Sequence, residues 1–198
     1  MRRRLVEAVC VFVAAVSGCA TPLVTDTPRT ATEQLLLSTA ADKALEQMDL
    51  SKLAGKRVHL DSTNFESVDK GYVIGAVGDR MNAQGALVAF SAKAANTVMA
   101  LRCGALSVDR GDFLIGLPKL AVPIPFGGTV ETPELAILKR THRLGIAKLS
   151  VHAYDVATGK HVVSLGPIAG QARYDQWTIM FFPFTVTDIP EKRDGTDR

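Results

Sequence analysis

The sequence predicts an α+β fold: two helices packed on a mostly antiparallel sheet of about five strands, with a long apolar Pro/Gly loop. Three observations carry that expectation. Apolar residues recur at helical spacing in two early stretches, over 31–47 and 69–83. The later part of the chain alternates with period two, and a Gly-containing turn at Val156–Lys160 separates two long alternating runs. Finally, 198 residues at 47% hydrophobic and 22% charged suffice for one domain with a real core. That composition excludes disorder and coiled coil as whole-chain descriptions. A net charge of +3 is too small to imply a nucleic-acid partner.

The N-terminal residues read as an address. Met1-Arg2-Arg3-Arg4 is a basic start, and Ala8–Val16 is a short apolar run followed by small residues. The run is about half the ~20 residues that span a bilayer. Val16-Ser17-Gly18-Cys19 resembles the bacterial lipobox, in which the Cys thiol takes a diacylglyceryl group and the chain is cut just before it. The organisation expected is a lipoprotein signal over 1–18, a lipidated tether over 19–29, one periplasmic domain over 30–190 and a charged tail over 191–198. Ala20, rather than Asp, follows Cys19, and by resemblance to the sorting rule of Gram-negative lipoproteins this favours the outer membrane. The signal holds Arg2, Arg3, Arg4 and Glu7, so the mature chain drops to +1. Cys10 leaves with the signal and Cys19 is acylated. Cys103 then has no partner for a disulfide, and its apolar surroundings in sequence mark it as a small buried hydrophobe.

Thr30-Ala31-Thr32-Glu33 fits a capping box, so a helix is expected from Ala31 to Gln47. Lys56–Asp61 alternates and predicts a first strand with Val58 and Leu60 on one face. A second helix is expected over Asp69–Ala83, closing at Gly85. Its Gly71, Gly75 and Gly78 form a stripe suited to close backbone approach, and the spacing matches neither a P-loop nor GxGxxG. A short strand follows at Ala86–Phe90 and a longer one at Asn96–Val108. Asp109–Gly128 is apolar but interrupted by Pro and Gly, and is expected to be a flap over the core or a contact surface. Glu134–Asp155 predicts a long strand, with Lys148, Ser150, His152 and Tyr154 on one side and Leu149, Val151 and Ala153 on the other. His161–Arg173 returns as its partner, interrupted at Gly166-Pro167. Tyr174–Asp188 concentrates aromatic residues and is expected to pack over the core or to offer an aromatic surface.

No arrangement predicts catalysis, a cofactor or a metal. The four His, at 59, 142, 152 and 161, form no HExxH pair and are expected to be surface or strand polar residues; the minor alternative is a metal site in which His152 and His161 face each other across the hairpin and His59 joins through the sheet. No GxSxG is present. Asp109-Arg110-Gly111-Asp112 is expected to be a solvated turn. Lys139, Arg140, His142, Arg143 and Lys148 form a basic stretch, expected to be a solvated face, with anionic headgroups or polymers as the sharper alternative.

The stretches Thr30–Ser38, Ser107–Gly116, Thr132–Ala136 and Tyr154-Asp155…Thr158-Gly159 resemble an uncharacterised family of bacterial lipoproteins. That resemblance implies no agreed activity and no catalytic residues. A looser similarity is to curli-secretion-type outer-membrane lipoproteins, which start at a lipidated Cys, form rings and insert hairpins into the membrane. It implies such an insertion at Phe113–Phe126, whose prolines and imperfect alternation depart from the pattern.

Together these readings predict a non-enzymatic lipoprotein anchored through Cys19 on the periplasmic side of the outer membrane. Its role would lie in envelope structure, assembly or transport. Phe113–Phe126 and Trp177–Phe184 are the candidate surfaces for a protein partner or self-association. The rival expectations are an oligomeric secretion-channel component and a lipid- or envelope-polymer-binding module.

Overall fold

The computed structural model describes residues 29–123, 127–180 and 182–190. The expected signal over 1–18, Cys19, nearly all of the expected tether and the charged tail lie outside them. The fold is α+β, as expected: two helices and a mixed six-stranded, strongly curled sheet forming a half-barrel, with a two-stranded hairpin beside it.

Helix α1 (Ala31–Glu46) buries Leu36, Leu37, Ala40, Ala41, Ala44 and Leu45 against the sheet. Strand β1 (Arg57–Asp61) follows, with Val58 fully buried. Helix α2 (Lys70–Ala83) buries Val73, Val77 and Met81 at i, i+4 and i+8. It stops at Gly85, whose φ of +87° is the left-handed conformation that glycine adopts without strain. Arg80 of α2 donates to the carbonyls of Glu46 (2.9 Å) and Met48 (3.2 Å), satisfying acceptors at the C-terminal end of α1.

The sheet continues with β2 (Leu87–Val88), β3 (Thr97–Leu117), β6 (Leu135–Asp155), β7 (His161–Ile179) and β8 (Phe182–Thr187), in the order β2-β1-β3-β6-β7-β8. The pairs at β1 are parallel and the rest antiparallel. The hairpin is β4 (Ala121–Pro123) with β5 (Thr129–Glu131). The β6–β7 turn closes as the sequence predicts: Asp155 accepts from the Thr158 N–H (2.9 Å) and hydroxyl (2.8 Å).

Four local expectations change. The Pro/Gly stretch remains irregular around Pro118–Leu120, but its first nine residues, Asp109–Leu117, continue β3 and pair with β6 throughout. Asp109–Asp112 is therefore strand, not turn, with Arg110 and Asp112 paired at 3.1 Å. Tyr174–Asp188 does not fold over the core: it forms the end of β7 and the edge strand β8, with Phe182 and Phe184 exposed. The glycine stripe of α2 meets nothing among the described residues, since Cβ atoms at Gly71, Gly75 or Gly78 would have no such neighbour within 4 Å.

Close approach occurs elsewhere. A Cβ on Gly145 of β6 would sit 2.6 Å from the Leu36 carbonyl oxygen. One on Gly170 of β7 would overlap the Ala40 carbonyl oxygen and lie 2.6 Å from the Ala44 amide nitrogen. The alanine face of α1 thus rests directly on the backbone of two strands. These contacts also orient α1: its N-terminal half lies at Gly145 and its C-terminal half further along, where Gln47 donates to the Ala169 carbonyl (3.3 Å).

Candidate functional site: the strand extension

Strands β3 and β6 each have 21 residues, a rise of about 70 Å. Helix α1 has 16 residues and is about 24 Å long. The helices therefore cover only part of the sheet, and the far halves of β3 and β6, with the end of β7 and all of β8, form a four-stranded extension beyond them.

The two faces exchange character along the strands. Beside the helices the inner face is apolar: Ala147, Leu149, Val151 and Ala153 of β6 are buried there, while Lys148, Ser150, His152 and Tyr154 point outward. In the extension the outer face becomes apolar and the inner face polar. Two lateral rows on the outer face are Phe113–Arg140–Trp177–Phe184 and Ile115–Leu138–Ile179–Phe182. An alternate row, on the inner face, is Asp112–Thr141–Gln176–Thr185. Side chains that pair across strands share a face, so the register alone fixes this segregation. Thirteen of the twenty exposed large hydrophobic residues among those described lie between 113 and 137 or between 179 and 186. The exposed apolar surface is therefore concentrated in the extension and in the β4–β5 hairpin that joins β3 to β6.

The pairing unites two surfaces that the sequence leaves separate. Phe113 belongs to the apolar stretch Phe113–Phe126, and Trp177 and Phe184 to the aromatic stretch Trp177–Phe184. They stand in one row across four strands. Residues 124–126 and Phe181 lie outside the described residues. Trp177 and Phe184 stack with centroids 6.3 Å apart and planes at 4°. The Arg140 guanidinium lies 4.9 Å from the Trp177 ring centre, a cation–π contact.

A charged cluster marks the border between this apolar region and the body. Arg140 donates to both Asp175 oxygens at 3.2 Å, and His142 Nδ1 donates to Oδ1 of the same carboxylate. Asp175 is 7% exposed. Burial pushes its carboxyl upward, but the hydrogen bonds from His142 and Arg140 outweigh burial and hold it below the usual carboxylate range. The Arg140 Nε is buried without a partner among the described residues. The basic stretch is accordingly not one face. Arg140, His142 and Lys148 point outward, Lys139 and Arg143 inward, and Lys139 is tied to Glu134 at 2.6 Å.

The remaining candidates do not converge. His152 pairs in register with Ser164, and His161 with Tyr154, so the two histidines are offset rather than opposed. His59 donates to the Ala89 carbonyl at 3.2 Å. Among the described residues no three His, Cys, Asp or Glu side chains are placed to hold a metal ion. Cys103 is half-buried against the core, and burial pushes its thiol up, away from the reactive thiolate. No described helix is long and apolar enough to cross a membrane, which leaves open what the strands do.

A family model matches residues 14–193, most of the chain, including every described element. The chain belongs to the Family of unknown function (DUF6655). The match supplies a membership and no activity. No curated protein matches the sequence.

Proposed function

We propose that this member of the family is a lipid-anchored envelope protein whose β extension dips into the membrane that holds the anchor. Its role is non-enzymatic, in envelope structure, assembly or transport. The observation that carries the reading is the exchange of polarity along β3, β6, β7 and β8. A sheet in water hides its apolar face, and here the apolar face turns outward where the helices end. Hydrocarbon is the solvent that suits Ile115, Ile179 and Phe182. The row Phe113–Arg140–Trp177–Phe184 has the aromatic and cationic character of a membrane–water interface. The Asp175 cluster then stays at the wet end of the extension, where a charge is affordable.

The anchor supports the same orientation. The N-terminal half of α1 lies toward the extension, and Cys19 precedes Ala31 by twelve positions. A tether of that length reaches at most about 40 Å when extended. Beyond the interfacial row, Phe113 to Leu117 rises about 13 Å, close to the ~15 Å of one hydrocarbon leaflet. Metabolic labelling with palmitate and fractionation test the anchor. The wild type is expected to carry label in the outer-membrane fraction, and Cys19→Ala to carry none. An unlabelled wild-type protein overturns this part of the reading.

One observation favours a second reading, an oligomeric secretion-channel-like component. Among the described residues, strand β3 beyond Ala100 and strand β8 each pair on one side only, leaving two free edges, and the concave inner face between them is polar. Four antiparallel strands joined edge to edge between copies extend the curl with an apolar exterior and a polar interior. Native mass spectrometry of the acylated protein in mild detergent separates the readings: a ring favours the channel, a monomer the membrane-dipping accessory.

A further inference from the structure

On the outer face of the body, remote from the extension, lies a cleft of about 400 Å³ lined chiefly by Arg102, Ser150, His152, Ser164, Gly166 and Pro167. The sheet builds it through one irregularity. Between the pairs Leu149↔Ile168 and Val151↔Leu165, two residues of β7, Gly166 and Pro167, stand opposite the single residue Ser150. The bulge brings the β7 backbone against Ser150 so closely that a Cβ on Gly166 would sit 2.7 Å from the Ser150 Cβ. Arg102 lies opposite Ser150 on β3, and Ser164 opposite His152 on β7, so four polar side chains share this face.

None of the three side chains Arg102, Ser150 and Ser164 makes a hydrogen bond or ion pair among the described residues, and His152 stacks on Tyr154 and feels the charge of Asp61. The lining holds a guanidinium, two hydroxyls and an imidazole, and no carboxylate. The nearest carboxylate by register, Asp61, stands in the same row as His152 and Ser164, across Ala100, and already accepts from the Thr63 amide (3.0 Å) and hydroxyl (2.6 Å). Lys148, two residues before Ser150 on the same face, has its stem against Gly104, where a Cβ would lie 3.3 Å from the Lys148 Cδ. It adds a second positive charge beside the cleft.

We propose that this cleft binds a phosphate-bearing ligand. The guanidinium presents paired N–H donors matched to two oxygens of one phosphate, and the hydroxyls and imidazole supply donors to the remaining oxygens. The source is water-soluble rather than a headgroup of the anchoring membrane. His152 lies ten residues along β6 from His142, which is about 33 Å from the border of the apolar region. The proposal is independent of the membrane reading in its chemistry, and either can fail alone.

The test is calorimetric titration of the acylated full chain, in uncharged detergent, with inorganic phosphate and with phenyl phosphate. Vesicles containing phosphatidic acid form a parallel arm. Saturable one-to-one binding of a soluble phosphate is expected. Arg102→Gln is expected to weaken it at least about tenfold, the scale of losing one charge-assisted bidentate contact. Ser150→Ala weakens it less, and Arg143→Gln, a cation on the opposite face, leaves it unchanged. Thermal unfolding of each variant separates a lost contact from a lost fold. Absence of saturable binding, or equal weakening by Arg143→Gln and Arg102→Gln, overturns the site. Binding to phosphatidic acid vesicles alone overturns the water-soluble source.

Discussion

Replacing Gly170 with Ala tests how the helix layer is held to the sheet. The new Cβ would overlap the Ala40 carbonyl oxygen and stand 2.6 Å from the Ala44 nitrogen. Both are backbone atoms in mid-helix, so no side chain can rotate away. Ordinary contact needs about 3.5 Å, so clearing the overlapped Ala40 oxygen makes α1 retreat by more than about 1 Å. A gap of that size forfeits a quarter to a half of the dispersion attraction along the interface. The helix buries six residues there, including the fully buried Leu36, Ala40 and Ala44. We expect a loss of about 3 kcal/mol, the upper end for overpacking. In a domain of this size that corresponds to a fall in Tm of roughly 6–12 °C. The control is Gly75→Ala on α2, where a Cβ meets nothing within 4 Å. It is expected to stabilise by about 0.5–1 kcal/mol, because glycine in a helix interior carries an entropic penalty. Scanning calorimetry reads both. A Gly170→Ala protein that melts with the wild type, or a Gly75→Ala protein that falls as far as Gly170→Ala, would refute this packing.

Further outcomes follow from the charged and polar contacts. Asp175→Asn is expected to destabilise by about 2 kcal/mol, since it weakens hydrogen bonds from two partners to a buried carboxylate. Because the folded carboxyl lies below its ordinary value, its contribution is present above the unfolded pKa and fades as pH falls through the folded one. Urea unfolding should therefore show a constant gap between wild type and variant near neutrality, narrowing in acid. A gap that widens in acid contradicts the assignment. Tyr72→Phe removes the hydroxyl that donates to Asp42 at 2.9 Å between the two helices and should cost about 1 kcal/mol or less in the same assay. Cys103 should react with a maleimide far more slowly in the folded protein than in denaturant, and equal rates would contradict its burial.

The local pattern of the sequence is sufficient for the helices and the long hairpin. The apolar spacing of α1, the glycine after α2 and the Asp155–Gly159 turn are all short-range signals. The extension is less legible for two reasons. Asp109–Leu117 alternates poorly by itself, with Phe113, Leu114 and Ile115 consecutive, and it runs directly into prolines. Its outer face appears only when it is set against β6, β7 and β8. On β6 the buried apolar positions are odd-numbered from Ala147 to Ala153, whereas Leu138 and Leu144 are even-numbered, so the apolar side changes while the period stays two. A single strand cannot say which neighbour, helix or lipid, each side meets. The same limit explains the glycines. The stripe on α2 is regular in sequence and open in space, while Gly145 and Gly170, far apart in sequence from α1, are the points of contact. The cleft at Arg102 depends on a two-residue bulge, for which Gly166-Pro167 was the only local sign.

The most direct test of the membrane reading uses the only tryptophan in the chain, Trp177, which lies in the row assigned to the interface. The acylated protein is reconstituted in vesicles whose lipids carry bromine either near the headgroup end or near the terminus of the acyl chain. The account predicts a blue-shifted Trp177 emission, quenched more strongly by the bromine near the headgroup end, with the shift lost on Phe182→Glu. Vesicle-bound protein whose Trp177 emission neither shifts nor is quenched by either lipid would contradict it.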